Sequence, residues 1–411
     1  MINFAHRDDE LAFLVTQRKQ GLFVQDLEEH SEQIRKSLNN KRVLVIGGAG
    51  SIGSATVKEI ARFETSALHI IDINENNLAE LVRDLRSSTD RFALNDFRTL
   101  PVDFGSPIMH RFILEQPPYD YVLNFAALKH VRNEKDTYSL QQMFETNILK
   151  PKKLFAWLAA KERSLSYFCV STDKAANPVN LMGASKRLME HIIFSKETTA
   201  RVFTKVTSSR FANVAFSDGS LLYSWLRRLA KKQPLAVPEG TRRYFLSSQE
   251  SGEICLLAST CTPTNHILIP RLEPDKDLQD LVSIAKSFLK FHGYEPHFCK
   301  TESEAKESLK SDIPRGKYPI VLTPLDTTGE KPEEEFVGVG EKTVEIGMRN
   351  LLTIEYVPPK MGNLVELLDQ LEHCISAPSR PIQKQDLIAL VSRVVSELCH
   401  ADREKGLDDR M

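Results

Sequence analysis

A chain of 411 residues with 41% hydrophobic and 27% charged residues has ordinary globular composition, with length for a large core in up to about three domains. Lysine plus arginine (54) nearly balance aspartate plus glutamate (55), so no global field would draw the protein to nucleic acid or an anionic membrane. Six scattered cysteines (Cys169, Cys255, Cys261, Cys299, Cys374, Cys399) without CxxC or Cys/His ligand spacing argue against a metal site or a disulfide framework, and read as small buried residues of a reducing compartment.

The opening MINFAHRDDELAFL lacks a basic stretch followed by an apolar one, and no run approaches the ~18–20 apolar residues of a membrane span, so a cytoplasmic protein is expected. Residues 1–40 carry Leu11, Leu14, Val15, Leu22, Phe23, Leu27, Ile34 and Leu38 at helical spacing, which predicts a helical arm packed on the domain or on another subunit. From Lys41 strands alternate with helices: VLVI, a glycine loop, a helix from Ser54 to Phe63, ALHIID, and a helix from Glu75 to Arg86. TLPVDF, a short helix, YVLNFAA, a long helix around Leu140 to Lys161, SYFCVST, a helix from Met182 to Ser195, and KVTSSRF continue the pattern. The alternation predicts an α/β fold, a doubly wound parallel sheet over residues 41–215 whose apolar strands are covered on both faces.

Residues 216–355 turn to shorter segments rich in Pro, Gly and Arg, read as a smaller substrate-binding lobe with some segments returning to the first domain. Glu302 to Lys310 and Glu330 to Glu335 are charge-rich and read mostly as solvated loops or helix faces. Residues 356–411 hold two amphipathic helices, LVELLDQLEHCI and DLIALVSRVVSELCH, expected to serve packing or an oligomer surface. With the N-terminal arm they favour a homodimer or larger.

VLVIGGAGSIGSATV places Gly47, Gly50 and Gly53 at three-residue spacing between a strand and a helix, where the backbone can approach a pyrophosphate at the positive helix end. The next strand ends in Asp72, where a carboxylate can accept hydrogen bonds from an adenosine ribose, which makes this a Rossmann-type dinucleotide site rather than a bare glycine turn. A carboxylate repels a 2′-phosphate and the following INENN offers no arginine to neutralise one, so NAD is favoured over NADP. Asp103, ending the third strand, is placed either to meet the adenine amino group or to cap the next helix.

The GxxGxxG spacing resembles the short-chain dehydrogenase/reductase superfamily, in its extended branch acting on nucleotide sugars. NFAALKHVRNE (Asn124 to Glu134), STDKAANPVNLMGASKR (Ser171 to Arg187) and RFANV (Arg210 to Val214) resemble the polysaccharide-biosynthesis branch that contains UDP-N-acetylglucosamine 4,6-dehydratases, over roughly residues 40 to 250. The resemblance implies that NAD takes the C4 hydride, water leaves across C5 and C6, and the hydride returns to C6, with no net redox change. The tyrosine that most of the superfamily places one helical turn before its lysine is Met182 here, one turn before Lys186. Methionine cannot transfer a proton, while Lys186 can still hold the nicotinamide ribose and supply charge.

At the carboxyl edge of the fifth strand the resemblance assigns Asp173 as acid to the C6 oxygen, Lys174 as base at C5, and Thr172 as a hydrogen-bond partner of the C4 oxygen. A lysine base requires a neutral amine near pH 7, depressed from ~10.4 by burial or by Lys129 and Lys186; otherwise Asp173 is the only proton-transfer group. The implied cofactor set is Gly47, Gly50, Ser51, Ile52, Gly53, Asp72, Asp103, Ala126 and Lys186, and the implied substrate set is Lys129, Met182, Asn213, Arg242 and Arg243. Arginine suits a diphosphate because its fork binds phosphate oxygens bidentately, and either arginine of the pair is eligible. Lys129 and His130 are expected near a pyrophosphate, with no proton-transfer role for His130. Asn147 is expected to organise backbone. Gly329 to Lys331 resembles the family's Arg-Pro-Gly-Glu-Lys element with Thr327 and Thr328 in place of Arg-Pro.

The expected reaction is thus dehydration of a nucleotide-diphosphate N-acetylhexosamine, most simply UDP-N-acetylglucosamine, for surface glycan synthesis. A nucleotide-sugar 4-epimerase would want tyrosine at 182, and a non-catalytic dinucleotide-binding scaffold or sensor would not need Thr172, Asp173, Lys174 and Lys186 together.

Overall fold

The computed structural model describes residues 4–88, 94, 96–129, 134, 136–161, 165–199, 202–324, 333–359, 363–376 and 382–400. Its strands are β1 Arg42–Ile46, β2 Ala67–Asp72, β3 Phe97–Pro101, β4 Tyr121–Asn124, β5 Leu165–Val170, β6 Phe203–Ser209, β7 Asn213–Val214 and β8 Leu235–Pro238. They continue as β9 Arg242–Leu246, β10 His266–Pro270, β11 Leu278–Asp280, β12 Glu295–Cys299, β13 Lys317–Thr323, β14 Thr343–Val344 and β15 Leu351–Glu355. A nine-stranded sheet runs β14-β15-β10-β6-β5-β4-β1-β2-β3. It is parallel from β3 through β10 and closes with β15 and β14 antiparallel at one edge.

The strands alternate their apolar residues between two helical layers. In β1, Leu44 and Ile46 enter one core with Leu188 and Ile192. Val43 and Val45 enter the other with Val57 and Ile254. That two-sided burial is why these runs are almost wholly apolar. Strand order reverses between β1 and β4, and the crevice above their carboxyl ends is where such sheets take ligands.

The helix predicted over Leu140 to Lys161 is interrupted: Thr137–Phe144 and Lys150–Ala159 flank a π turn at Glu145–Leu149. Pro151 has no N–H for the carbonyl of Asn147, which removes one rung of the α ladder there. The glycine-loop helix begins at Ser51, three residues before the predicted Ser54, with Gly50 as its N-cap.

Beyond β6 the chain builds a three-stranded parallel sheet, β12-β13-β8, and a small sheet, β11-β9-β7. Trp225, Phe288, Tyr318 and, from the N-terminal helix, Leu11 and Val15 form the core of this part. Arg18 fastens the same arm through two bonds to Glu250 at 2.8 and 2.7 Å. The C-terminal helices Leu364–Ser376 and Lys384–Val391 bury Leu367, Leu371, Leu387 and Val391 in the core that contains Leu188 and Ile192. These side chains are therefore covered within the chain, while Phe13 and Val365 of the same elements remain exposed.

All six cysteines are free; Cys169, Cys255 and Cys299 are buried, whereas Cys399 is exposed, contrary to the uniform burial expected. Among the described residues no helix is long and apolar enough to cross a membrane.

Candidate active site

The loop after β1 is closed by contacts that only glycine permits. Gly47 has φ +71°, and a Cβ there would lie 2.5 Å from the nitrogen of Ala126; a Cβ on Gly53 would lie 2.2 Å from the Gly47 carbonyl. Gly50 caps the helix without a side chain, so the first-turn N–H groups, those of Ser51 and Ile52 among them, face outward as an anion cradle. Asp72 braces the loop by accepting from the N–H of Ala49 at 3.0 Å and from that of Asn74 at 2.9 Å.

Asp103 does not cap the following helix, a role taken by Ser106. It pairs instead with Lys150 Nζ at 2.6 Å and accepts from the N–H of Gly105, because a lysine from the helix after the π turn reaches back over the strand end. Burial would raise its pKa, but the bonds from Lys150 and Gly105 hold it below the ordinary value.

The segment after β5 forms the proton-transfer cluster. Thr172 caps a single 3₁₀ turn, Asp173–Ala175, and its hydroxyl donates to Asp173 Oδ1 at 2.6 Å. Lys174 Nζ lies 3.3 and 3.2 Å from the two oxygens of Asp173. A Cβ on Gly183 would lie 2.4 Å from the Lys174 carbonyl, so the helix Leu181–Phe194 docks directly on this turn. Lys186 descends from that helix to donate to the Val170 carbonyl at 2.7 Å, and burial lowers its pKa. Met182, expected among the substrate contacts, is instead packed in the core at 2% exposure, because its helix is buried along its whole length, and only its backbone N–H reaches out, donating to Glu134. Asn147 holds the Leu128 backbone, accepting from its N–H at Oδ1 and donating from Nδ2 to its carbonyl, and also donates to Ser185, as expected of an organising residue.

The neutral amine that a lysine base requires is not favoured at Lys174. Burial alone would lower the pKa of Lys174, but the carboxylates of Asp173 and Glu334 outweigh it and the balance lies above the ordinary lysine value. The opposing cation is Arg243 rather than Lys129 or Lys186. Lys129 is exposed, with Asp218 as its acidic neighbour, and Lys186 is engaged with Val170. His130 and the Gly329 to Lys331 element lie outside the described residues.

On the far side of the cluster, Asn213 in β7 and Arg243 in β9 converge on Glu334. Asn213 Nδ2 donates to Glu334 Oε1 at 2.5 Å, the Tyr244 N–H donates to Oε2 at 2.9 Å, and Arg243 Nε lies 3.5 Å away. Arg242 turns outward, 46% exposed and 3.8 Å from Glu333, so Arg243 is the member of the pair that belongs to the site.

Glu334 corrects the reading of its acidic run as solvated: its side chain is 4% exposed. Burial, reinforced by the charge of Asp173, pushes its carboxyl up to about 7. Beneath the site, Arg210 of the RFANV string is fully buried, joined to Glu190 at 2.7 and 2.6 Å and to Glu341 at 2.6 Å. Glu190 also accepts from Ser171, which ties the network to the start of the Thr172–Lys174 turn.

A doubly wound sheet with this glycine loop and this strand-end cluster defines an extended short-chain dehydrogenase/reductase. Residues 43–355 match the family described as polysaccharide biosynthesis protein, and the chain belongs to it. Among its relatives, "Uncharacterized membrane protein MJ1061" of Methanocaldococcus jannaschii is 31% identical over 269 residues, 64% of this chain and 77% of that protein. The capsular polysaccharide biosynthesis protein CapD of Staphylococcus aureus is 30% identical over 63% of this chain, and the match spans only 42% of CapD. A protein of Rickettsia conorii named UDP-glucose 4-epimerase is 28% identical over 79% of this chain and 99% of its own length. Pen from Bacillus thuringiensis shares the fold, with a TM-score of 0.58 at 20% identity over 79% of this chain and 89% of Pen.

Proposed function

We propose that this chain is an NAD-dependent 4,6-dehydratase of a nucleotide-diphosphate N-acetylhexosamine, most simply UDP-N-acetylglucosamine, serving glycan synthesis. The observation that carries the proposal is the Thr172-Asp173-Lys174 cluster at the carboxyl end of β5, docked against a helix whose sequence has Met182 at the position where a C4-only enzyme needs a proton-transferring group. The cofactor would lie on the cradle of Gly50, Ser51 and Ile52, with Asp72 toward its adenosine ribose, Asp103 and Ala126 beside it and Lys186 toward its second ribose. Bound there, it supplies the acceptor and donor of hydride. The carboxylate of Asp72 favours NAD over its 2′-phosphorylated form.

The ion pair reverses the roles expected of its two members. A carboxylate held beside an ammonium accepts a proton, and the ammonium donates one. In the proposed reaction the Thr172 hydroxyl orients the C4 oxygen and relays its proton to Asp173, which releases it to solvent as hydride leaves C4. Asp173 then removes the C5 proton, Lys174 protonates the departing C6 hydroxyl, and Asp173 returns its proton to C5 as hydride reaches C6. Arg243 and Asn213 hold the substrate's diphosphate. A 4-epimerase is the second reading, favoured by the name of the Rickettsia relative and disfavoured by Met182.

Incubation of the purified protein with NAD and UDP-N-acetylglucosamine tests this by mass spectrometry: loss of one water is expected, and unchanged mass with inverted C4 supports the epimerase. Asp173→Asn should abolish exchange of the C5 proton with solvent. Lys174→Ala should retain that exchange and lose elimination, whereas full dehydration by either variant removes the role assigned to it.

A further inference from the structure

Glu334 sits in an arrangement of donors that a protein builds for an anion. Its two oxygens are met by an amide side chain (Asn213), a backbone N–H (Tyr244) and a guanidinium (Arg243), contributed by two strands of one small sheet. The segment that follows it is fixed at three points beside the site. Asn177, just after the catalytic turn, donates to Glu335 at 2.8 Å and accepts from the N–H of Val339 at 3.0 Å, and the Phe336 carbonyl accepts from Arg210 at 2.9 Å. The charged groups facing Glu334 are Asp173, Lys174 and Arg243. A second carboxylate beside Asp173 is the unfavourable member of this set, since like charges in a shielded cluster repel.

We propose that Asn213 Nδ2, the Tyr244 N–H and Arg243 form one phosphate subsite of the substrate pocket, and that Glu334 is an internal stand-in for that phosphate which substrate must displace. The assignment rests on the nucleotide-binding reading of Asn213 and Arg243 given above and adds to it a backbone donor and a competitor. Displacement requires only that the Glu334 side chain leave, since its backbone is anchored through its neighbours. Once it leaves, the donors are handed from one anion to another and none is stranded.

Titration calorimetry of the NAD-bound protein with UDP tests the proposal. Glu334→Ala should bind UDP roughly tenfold more tightly than the native protein, the scale of one charge-assisted hydrogen bond released from competition. Glu334→Gln, which keeps the shape but not the charge, should fall between them. The native-to-Ala ratio cancels the ionisation of UDP itself, and it should shrink as pH falls from 8 to 6 and Glu334 takes up a proton. Weaker or equal binding by Glu334→Ala overturns the proposal and makes Glu334 a positioning partner of Asn213 and Arg243. Arg243→Ala separates the two levels: if it weakens UDP binding while Glu334→Ala does not tighten it, only the stand-in fails. If Arg243→Ala leaves UDP binding unchanged, the nucleotide reading fails and the stand-in with it.

Discussion

Replacing Arg210 with methionine should be among the most damaging single changes outside the reacting groups. Both Arg210 and Glu190 have fully buried side chains, and the guanidinium spends two bonds on Glu190, two on Glu341 and one on the Phe336 carbonyl. Burial would raise the Glu190 carboxyl, but Arg210 first and Arg187 next hold it at about 2 against an ordinary 4.5. That difference corresponds to on the order of 3 kcal/mol favouring the ionised, folded form. Removing one partner of a buried pair costs about 3–5 kcal/mol because the other charge is left behind, and the two figures agree in scale.

In urea unfolding followed by tryptophan fluorescence, Arg210→Met should lower the unfolding free energy by that amount, seen as a lower midpoint with an unchanged slope. Adding Glu190→Gln to it should recover part of the loss. The sign with pH follows from the depressed carboxyl: the stabilisation is present above about 4.5 and is lost as pH falls toward about 2. A wild-type midpoint for Arg210→Met, or a double variant no better than the single one, would refute the role given to the buried charge.

Gly53→Ala places a methyl 2.2 Å from the Gly47 carbonyl and should weaken NADH binding roughly a hundredfold by fluorescence titration, about 2.7 kcal/mol, whereas affinity within twofold of native would contradict the cradle. Glu253 titrates high, at about 7, chiefly through burial and then through the charges of Glu59 and Glu250. Its contribution is therefore fully present below about 4.5 and lost as pH rises through about 7, so Glu253→Gln should stabilise by about 2 kcal/mol at pH 8 and change little at pH 5. Equal effects at the two pH values in thermal melts would remove that assignment.

The sheet was legible because a parallel strand covered on both faces has to be apolar throughout, as VLVI and YFCV are. HILIP and LLTIE, which form β10 and β15, lie inside the chain that also builds the lobe, and only their pairing with β6 and with each other gives them a place in the sheet. The turn of Thr172, Asp173 and Lys174 was visible as a string. Its protonation was not, since burial and, after Asp173, the charge of Glu334, distant in sequence, also act on Lys174. Glu334 itself is hidden in a run of three glutamates, and its burial follows from neighbours that dock on Asn177 and Arg210. The Arg210–Glu190 pair lies 20 residues apart with no local pattern to announce it.

In the proposed reaction a hydride leaves C4 and returns to C6, with loss of water between. UDP-N-acetylglucosamine deuterated at C4, incubated with the NAD-bound protein, should give a product lighter by one water whose deuterium is found at C6 by NMR. Deuterium remaining on C4, in a product of unchanged mass, would contradict it.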